Sequence, residues 1–345
     1  MKKGLWQTVR IILFLALAIL LLWVSFRGVD FKALWEILKK ADYWWLLLAS
    51  AVFVISIIIR ARRWTLLIEP LGKRPGLVNT YHAVATGYFA NLIFPRLGEI
   101  TRCATLGKKE KLSFDKLVGT VIIERTIDML TLFALLGLTL IAGSTTTGSF
   151  LSENVFTPAS RKLSSSYGSA TLLYVLIIAL IALVIVLYFA LRKKLSGKPF
   201  FRKIYAFIDG IFAGLKSIAL LKRKWEFIFL TILMWGAYLL MAYFPLLCLD
   251  STSDLGMGAA LFILVIGSFG MAVPVQSGLG AFHWIVSRGL LFAYGITLEE
   301  GLAYATLSHE SELLFIAIVG AISLFVLFGT KGGKILSSPL EYKNE

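Results

Sequence analysis

Two stretches decide the fold of this chain: Phe89–Cys103, FANLIFPRLGEITRC, and Met271–Trp284, MAVPVQSGLGAFHW. Each sets Pro, Gly and polar residues in the middle of an apolar segment. A helix interrupted in hydrocarbon leaves backbone groups that neither water nor lipid can satisfy. Non-helical backbone at membrane depth therefore lines an enclosed cavity, and the two breaks mark where a substrate would sit.

The composition sets the solvent. Hydrophobic residues make up 58% of the chain and charged residues 16%, against about 25% charged in an ordinary soluble domain. A chain of 345 residues has room for roughly eight crossings of a hydrocarbon core of about 30 Å, which leaves no space for a soluble catalytic domain. The net charge of +15 could suggest nucleic acid. The Lys and Arg residues, however, cluster at the borders of apolar segments, which fits a cytoplasmic rim facing anionic lipid. Two cysteines, Cys103 and Cys248, are too few for a disulfide framework. The apolar run Ile11–Val24 follows Met1-Lys-Lys and lacks a convincing small-residue cleavage site, so it reads as a retained first helix.

Uninterrupted crossings are expected at 7–26, 44–59, 118–142, 170–191, 227–249 and 301–328, with two interrupted regions at 77–106 and 256–296. The fold class is thus an all-α polytopic membrane protein of about six full crossings plus two re-entrant or broken helix pairs. Arg60, Arg62, Arg63, Lys73 and Arg74 precede the first interrupted region, and Lys108, Lys109, Lys111 and Lys116 follow it. Both of its ends are expected inside. Asp250 and Asp254 before the second region, and Thr297–Glu300 after it, place its ends outside. The loop from Arg27 to Tyr43, placed outside, fits this scheme least well because it carries Arg27, Lys32, Lys39 and Lys40.

The expected domain is a single transmembrane unit over 1–330, with repeat halves 1–142 and 170–330 joined by an external loop 143–169, and a short cytoplasmic tail 331–345. Each half runs crossing, amphipathic connector, crossing, re-entrant pair, crossing, in opposite orientation. Leu38-Lys-Lys-Ala-Asp-Tyr-Trp and Leu221-Lys-Arg-Lys-Trp mark matching places. Inverted repeats are a recurring transporter plan with binding at the midplane.

Ionisable residues inside apolar segments are costly and face a cavity or a partner. Asn91, Arg96, Glu99 and Arg102 cluster in the first break, the last three on one helical stripe. They read either as an internal ion pair that seals the hairpin or as a guanidinium left free for a phosphate. In the next crossing Glu124 and Asp128 share a face, with Arg125 beside them, and Glu124 lies roughly 9 Å into the helix from Val118. The second half carries His309, Glu310 and Glu312, with Glu310 roughly 14 Å into its helix. These residues form either a proton-responsive coupling group or a structural polar network.

In the second break Gln276 and Ser277 precede Gly278 and Gly280, and a helix restarting near Ala281 would aim unpaired N–H groups at a cavity. His283 and Arg288 could add charge there. Of the two breaks, the Gly278–Gly280 turn is the firmer expected anion site.

GYFANLIFPRLGEITRC, the Glu124–Asp128 motif ERTID, RARRW at Arg60–Trp64 and PVQSGLGAFHW together resemble the flippase-like transmembrane domain of the lysylphosphatidylglycerol synthase family, over about residues 7–330. The resemblance places that family's broken-helix motif on Asn91, Pro95, Gly98, Glu99 and Arg102, its acidic-basic motif on Glu124, Arg125 and Asp128, and its later motif on Pro274, Gly278, Leu279 and Gly280. Val275-Gln276-Ser277 and His283 depart from the usual form at the last. The resemblance implies a standalone member without the aminoacyl-transferase domain, in a bacterial cytoplasmic (inner) membrane; the distribution of Lys and Arg, with Lys331 and Lys334 after the last crossing, places both termini on the cytoplasmic side. The resemblance further implies movement of an anionic, aminoacylated or other polar-headgroup lipid between leaflets, with phospholipids or isoprenoid-type lipids as partners and a separate lipid-synthesis enzyme as supplier. No cofactor, metal or nucleic acid is expected, and the oligomeric state is left open. Two other classes compete: a secondary transporter of ions or small solutes, and a membrane-embedded lipid-modifying enzyme using Glu124, Asp128, His283, His309 and Glu310. No recognisable catalytic spacing supports the enzyme.

Overall fold

A computed structural model describes residues 16–142 and 219–328, together with Leu13. The expected crossing at 170–191, the loop 143–169, the tail 331–345 and most of the first helix lie outside the described residues. Within them the chain is all-α. Helix α1 spans Ala16–Phe26, α2 Phe31–Lys40, α3 Trp44–Ile68, α4 Leu77–Ile93, α5 Leu97–Glu110 and α6 Phe114–Ala142. After the undescribed stretch come α7 Lys224–Tyr243, α8 Met257–Ala272, α9 Ala281–Tyr294 and α10 Leu298–Phe328.

Among the described residues three stretches are long and apolar enough to cross a membrane: Trp44–Leu71, Lys224–Cys248 and Leu298–Phe328. The 29 residues of α6 extend about 43 Å at 1.5 Å per residue. The expected connector is α2, with Asp30 as N-cap accepting from the Lys32 and Ala33 amides, Leu34 buried, and Phe31 and Trp35 exposed. Crossing 44–59 is longer than expected, because α3 continues through Arg60–Trp64 to Ile68. Lys and Arg normally end a crossing, but Arg60 and Arg63 are buried here and held by acids on another helix.

The two interrupted regions are helical hairpins. Helix α4 has 17 residues and α5 14, about 26 and 21 Å, each short of a core of about 30 Å. Their outer ends meet: Glu110 Oε1 accepts from the Gly76 amide at 3.2 Å and from Asn79 Nδ2 at 2.6 Å. The inner ends are joined by Phe94-Pro95-Arg96, with Arg96 in the left-handed region at φ 63°. Asn91 Oδ1 accepts from the Gly98 amide at 2.7 Å. Each helix thus caps the other's N-terminus, which supplies the acceptors that neither helix start carries in its own cap residue. At the tip the backbones close up, since a Cβ on Gly98 would lie 2.7 Å from Asn91 Nδ2.

Helices α8 and α9, of 16 and 14 residues, pair in the same way. Gly267 lies under Phe282, and at the far ends the Phe262 and Tyr294 rings meet at 5.8 Å. Their turn runs through Ser277, Gly278 and Gly280 at φ 46°, 75° and 79°.

The order long helix, broken pair, long helix therefore occurs twice: α3, α4–α5, α6 and α7, α8–α9, α10. Packing between the two sets is reciprocal. Helix α3 packs on α7, α4 on α10, and α8 on α6. The breaks themselves meet: Ser277 Oγ donates to Asn91 O at 3.5 Å, and Arg96 Nη2 reaches Ala272 O at 3.5 Å.

Candidate functional site

Three long helices and the first hairpin converge on a buried ionic network. On α3, Arg60 and Arg63 are three residues apart and share a face. On α6, Glu124 and Asp128 are four apart and face them. Arg60 Nη2 donates to Glu124 Oε1 at 2.6 Å and to Asp128 Oδ2 at 3.2 Å. Arg63 Nη2 donates to Asp128 Oδ1 at 2.5 Å and lies 3.5 Å from Glu124 Oε1. From α5, Arg102 Nη1 reaches Glu124 Oε2 at 3.1 Å. The Tyr88 and Tyr238 hydroxyls accept from Arg60 Nη1 at 2.9 and 3.2 Å. The Arg63 and Glu124 side chains are 0% exposed.

Charge decides what this network can do. Desolvating an ion costs several kcal/mol, which is offset only where partners and hydrogen bonds are complete. Arg60, Arg63 and Arg102 face Glu124 and Asp128, so one positive charge is in excess. The deficit falls on Arg102. Its guanidinium lies 4.7 Å over the Trp64 ring, its side chain is 4% exposed, and its Nε and Nη2 have no acceptor among the described residues. Arg102 lines a small, partly open cleft with Arg60, Tyr88, Asn91, Glu99 and Arg125.

Sequence placed Arg96, Glu99 and Arg102 in one local stripe, with an internal ion pair as one outcome. The structure corrects this: Glu99 pairs with Arg125 of α6 at 2.6 Å, Arg102 pairs with Glu124 of α6, and Arg96 is exposed at the hairpin tip. A helix-to-helix approach wins over spacing along one helix. Asn91 lines the cleft while capping α5. Arg60, Arg63, Tyr88 and Tyr238 are additional members. The i, i+3 pair of arginines was visible in RARRW, but read as a cytoplasmic border it gave no hint of burial.

The second break is built differently from its expectation. A Cβ on Gly280 would lie 2.6 Å from the Leu22 amide nitrogen, and Ser25 Oγ donates to Gly280 O at 2.9 Å. Helix α1 therefore covers the start of α9, where an open cavity was expected. Gly278 is closed off in the same way by Met271, whose Cα would lie 3.0 Å from a Cβ added there. Gln276 is half-buried, and its buried Oε1 has no partner among the described residues. Arg288 lies over Trp284 and reaches Val24 O of α1 at 3.4 Å, away from the cleft.

His283, His309 and Glu310 come together. His283 Nε2 is 3.3 Å and His309 Nδ1 3.4 Å from Glu310 Oε1, and His309 Nε2 donates to Ser277 O at 2.9 Å. Glu312 is half-buried on the same helix, with no ion pair among the described residues. The structure thus joins Asn91, Glu99, Arg102 and Arg125 at one cleft and His283, His309 and Glu310 at another place, and it leaves Arg96, Arg288 and Glu312 outside both.

Long apolar helices and an all-α architecture with paired broken helices are those of an integral membrane protein. The lysylphosphatidylglycerol synthase TM region family matches residues 11–320, and the chain belongs to that family. No curated protein and no solved structure matches it.

Proposed function

We propose that this chain moves a phosphate-bearing lipid between membrane leaflets, with the phosphate held at Arg102. The observation that carries the reading is a guanidinium paired on one side alone, through Nη1 to Glu124. Arg102 offers two buried N–H positions without an acceptor, and a planar fork of donors suits a phosphate. The helices that line the cleft also expose Ile93, Ile100 and Ile122. An amphiphile can place its headgroup among the arginines while its tails follow that apolar surface. A free solute gains nothing from those isoleucines, which favours lipid over an ion or small-solute transporter.

Membership of a family defined on a lipid synthase's transmembrane region supports a lipid-related role. The hairpins would be re-entrant from opposite faces, and rocking of the two halves about their reciprocal contacts would alternate access. In this reading the protein sits in a bacterial cytoplasmic membrane with both termini inside, makes no chemical change to the lipid, and receives it from a separate synthetic enzyme.

The test is reconstitution into liposomes containing fluorescent-headgroup lipids, with a membrane-impermeant quencher reporting the outer leaflet. Anionic lipids should become accessible from both leaflets without chemical change, and tail-less glycerophosphates should not be transported. Movement of solutes alone, or a chemically altered lipid, would replace this reading with the transporter or the enzyme.

A further inference from the structure

We propose that His283, His309 and Glu310 form a binding site for one divalent transition-metal ion of the zinc type. The site lies apart from the arginine cleft and does not depend on the lipid reading.

The donor spacing matches a tetrahedral ion. Two donors of a tetrahedral ion with bonds of about 2.1 Å lie about 3.4 Å apart. Glu310 Oε1 is 3.3 Å from His283 Nε2 and 3.4 Å from His309 Nδ1, and the three donor atoms all fall within 4.8 Å of one another. Two imidazoles and one carboxylate suit zinc and its neighbours in the first transition row. Magnesium and calcium require oxygen ligands.

His309 is oriented as a ligand would be. Its Nε2 lies 2.9 Å from Ser277 O, a carbonyl that can only accept. Nε2 therefore carries the hydrogen, and in the neutral ring Nδ1 presents a lone pair. That lone pair faces the carboxylate oxygen of Glu310, so two acceptors confront one another. Only a cation between them, metal or proton, resolves this. A metal-binding histidine characteristically donates its other N–H to a carbonyl, which fixes its tautomer. Ser277 O supplies that support from a turn held at positive φ.

The surroundings hold both imidazoles in place. His283 and His309 are 1% and 2% exposed with their rings 5.1 Å apart, and Phe282 stacks on His309 at 5.1 Å. The rings are thus fixed before any ion arrives. The Glu310 side chain is 46% exposed, which leaves a coordination position open on that side. An ion here would pin α9 to α10 and, through His309, to the second broken turn.

The experiment uses full-length protein in detergent, without a polyhistidine tag, stripped by a chelator and titrated with Co²⁺. The expected result is the visible absorption of tetrahedral Co²⁺ saturating at one ion per chain and bleached by Zn²⁺, with a rise in melting temperature. The chain has three histidines; His82→Ala should keep the signal, while His283→Ala and His309→Ala should lose it. Glu310→Gln, at a half-exposed position, should melt like the wild type without metal and bind at least about ten-fold more weakly. Absence of both absorption and metal-dependent stabilisation in the wild type would overturn the proposal and assign the shared position to a proton. Unchanged Co²⁺ binding in His309→Ala and Glu310→Gln would overturn it equally.

Discussion

Arg102 Nη1 and Glu124 Oε2 stand 3.1 Å apart, joining the first hairpin to α6 deep inside the protein. Glu124 also takes Arg60 and lies beside Arg63, so this one carboxylate, with Asp128 beside it, faces all three guanidiniums. Glu124→Gln should be severely destabilising, because breaking a buried pair leaves uncompensated charge at a cost of about 3–5 kcal/mol. A thermal melt of the purified variant, or its yield in the membrane, checks this. An unchanged melting midpoint would mean that water, and not Glu124, balances the arginines.

Asn91 holds the hairpin turn by capping α5 from α4. Asn91→Ala should cost about 1 kcal/mol, the usual value of a lost cap, whereas Asn91→Asp retains the acceptor and should cost less. Equal melting of both variants and the wild type would remove the capping role.

Gly98 is required by contact. Its added Cβ would press on Asn91 and on Gly87 O, so Gly98→Ala should lower stability by about 1–3 kcal/mol through overpacking. Gly119, which has open space at that position, is the control, and Gly119→Ala should be neutral or slightly stabilising because alanine favours helix. Paired thermal melts decide the matter.

The hairpin topology predicts labelling. In a background without Cys103 and Cys248, both of which are buried, single cysteines at the exposed positions 74 and 111 should react with an impermeant maleimide from one face of the membrane. Cysteines at the exposed positions 254 and 297 should react from the other. Labelling of 74 and 111 from opposite faces would make α4–α5 a crossing and end the inverted-repeat account.

These elements also show what sequence could and could not reveal. Pro95 with Gly98, and Pro274 with Gly278 and Gly280, announce both breaks locally, because a helix interior tolerates neither kind of residue well. The order of elements followed from apolar length. The reach of α3 past Arg60 did not, since only acids sixty-four and sixty-eight residues further along the chain, Glu124 and Asp128, let an arginine pair continue inside. Glu99 and Arg102 were recognised as charged partners, but their mates lie on α6, and spacing along one helix cannot report a contact across two. The closure of Gly280 by α1 was invisible for the same reason: a glycine permits close approach without naming what approaches.

The most direct test of the central claim compares wild type with Arg102→Lys in the liposome lipid-movement assay. Lysine keeps a positive charge near Glu124 but loses the second, unpartnered face of the guanidinium fork. With a charge-assisted hydrogen bond contributing about 1.5–3 kcal/mol, movement of anionic lipid should slow by about ten-fold or more while the variant reconstitutes and melts like the wild type. Equal rates for the two proteins would contradict a phosphate site at Arg102.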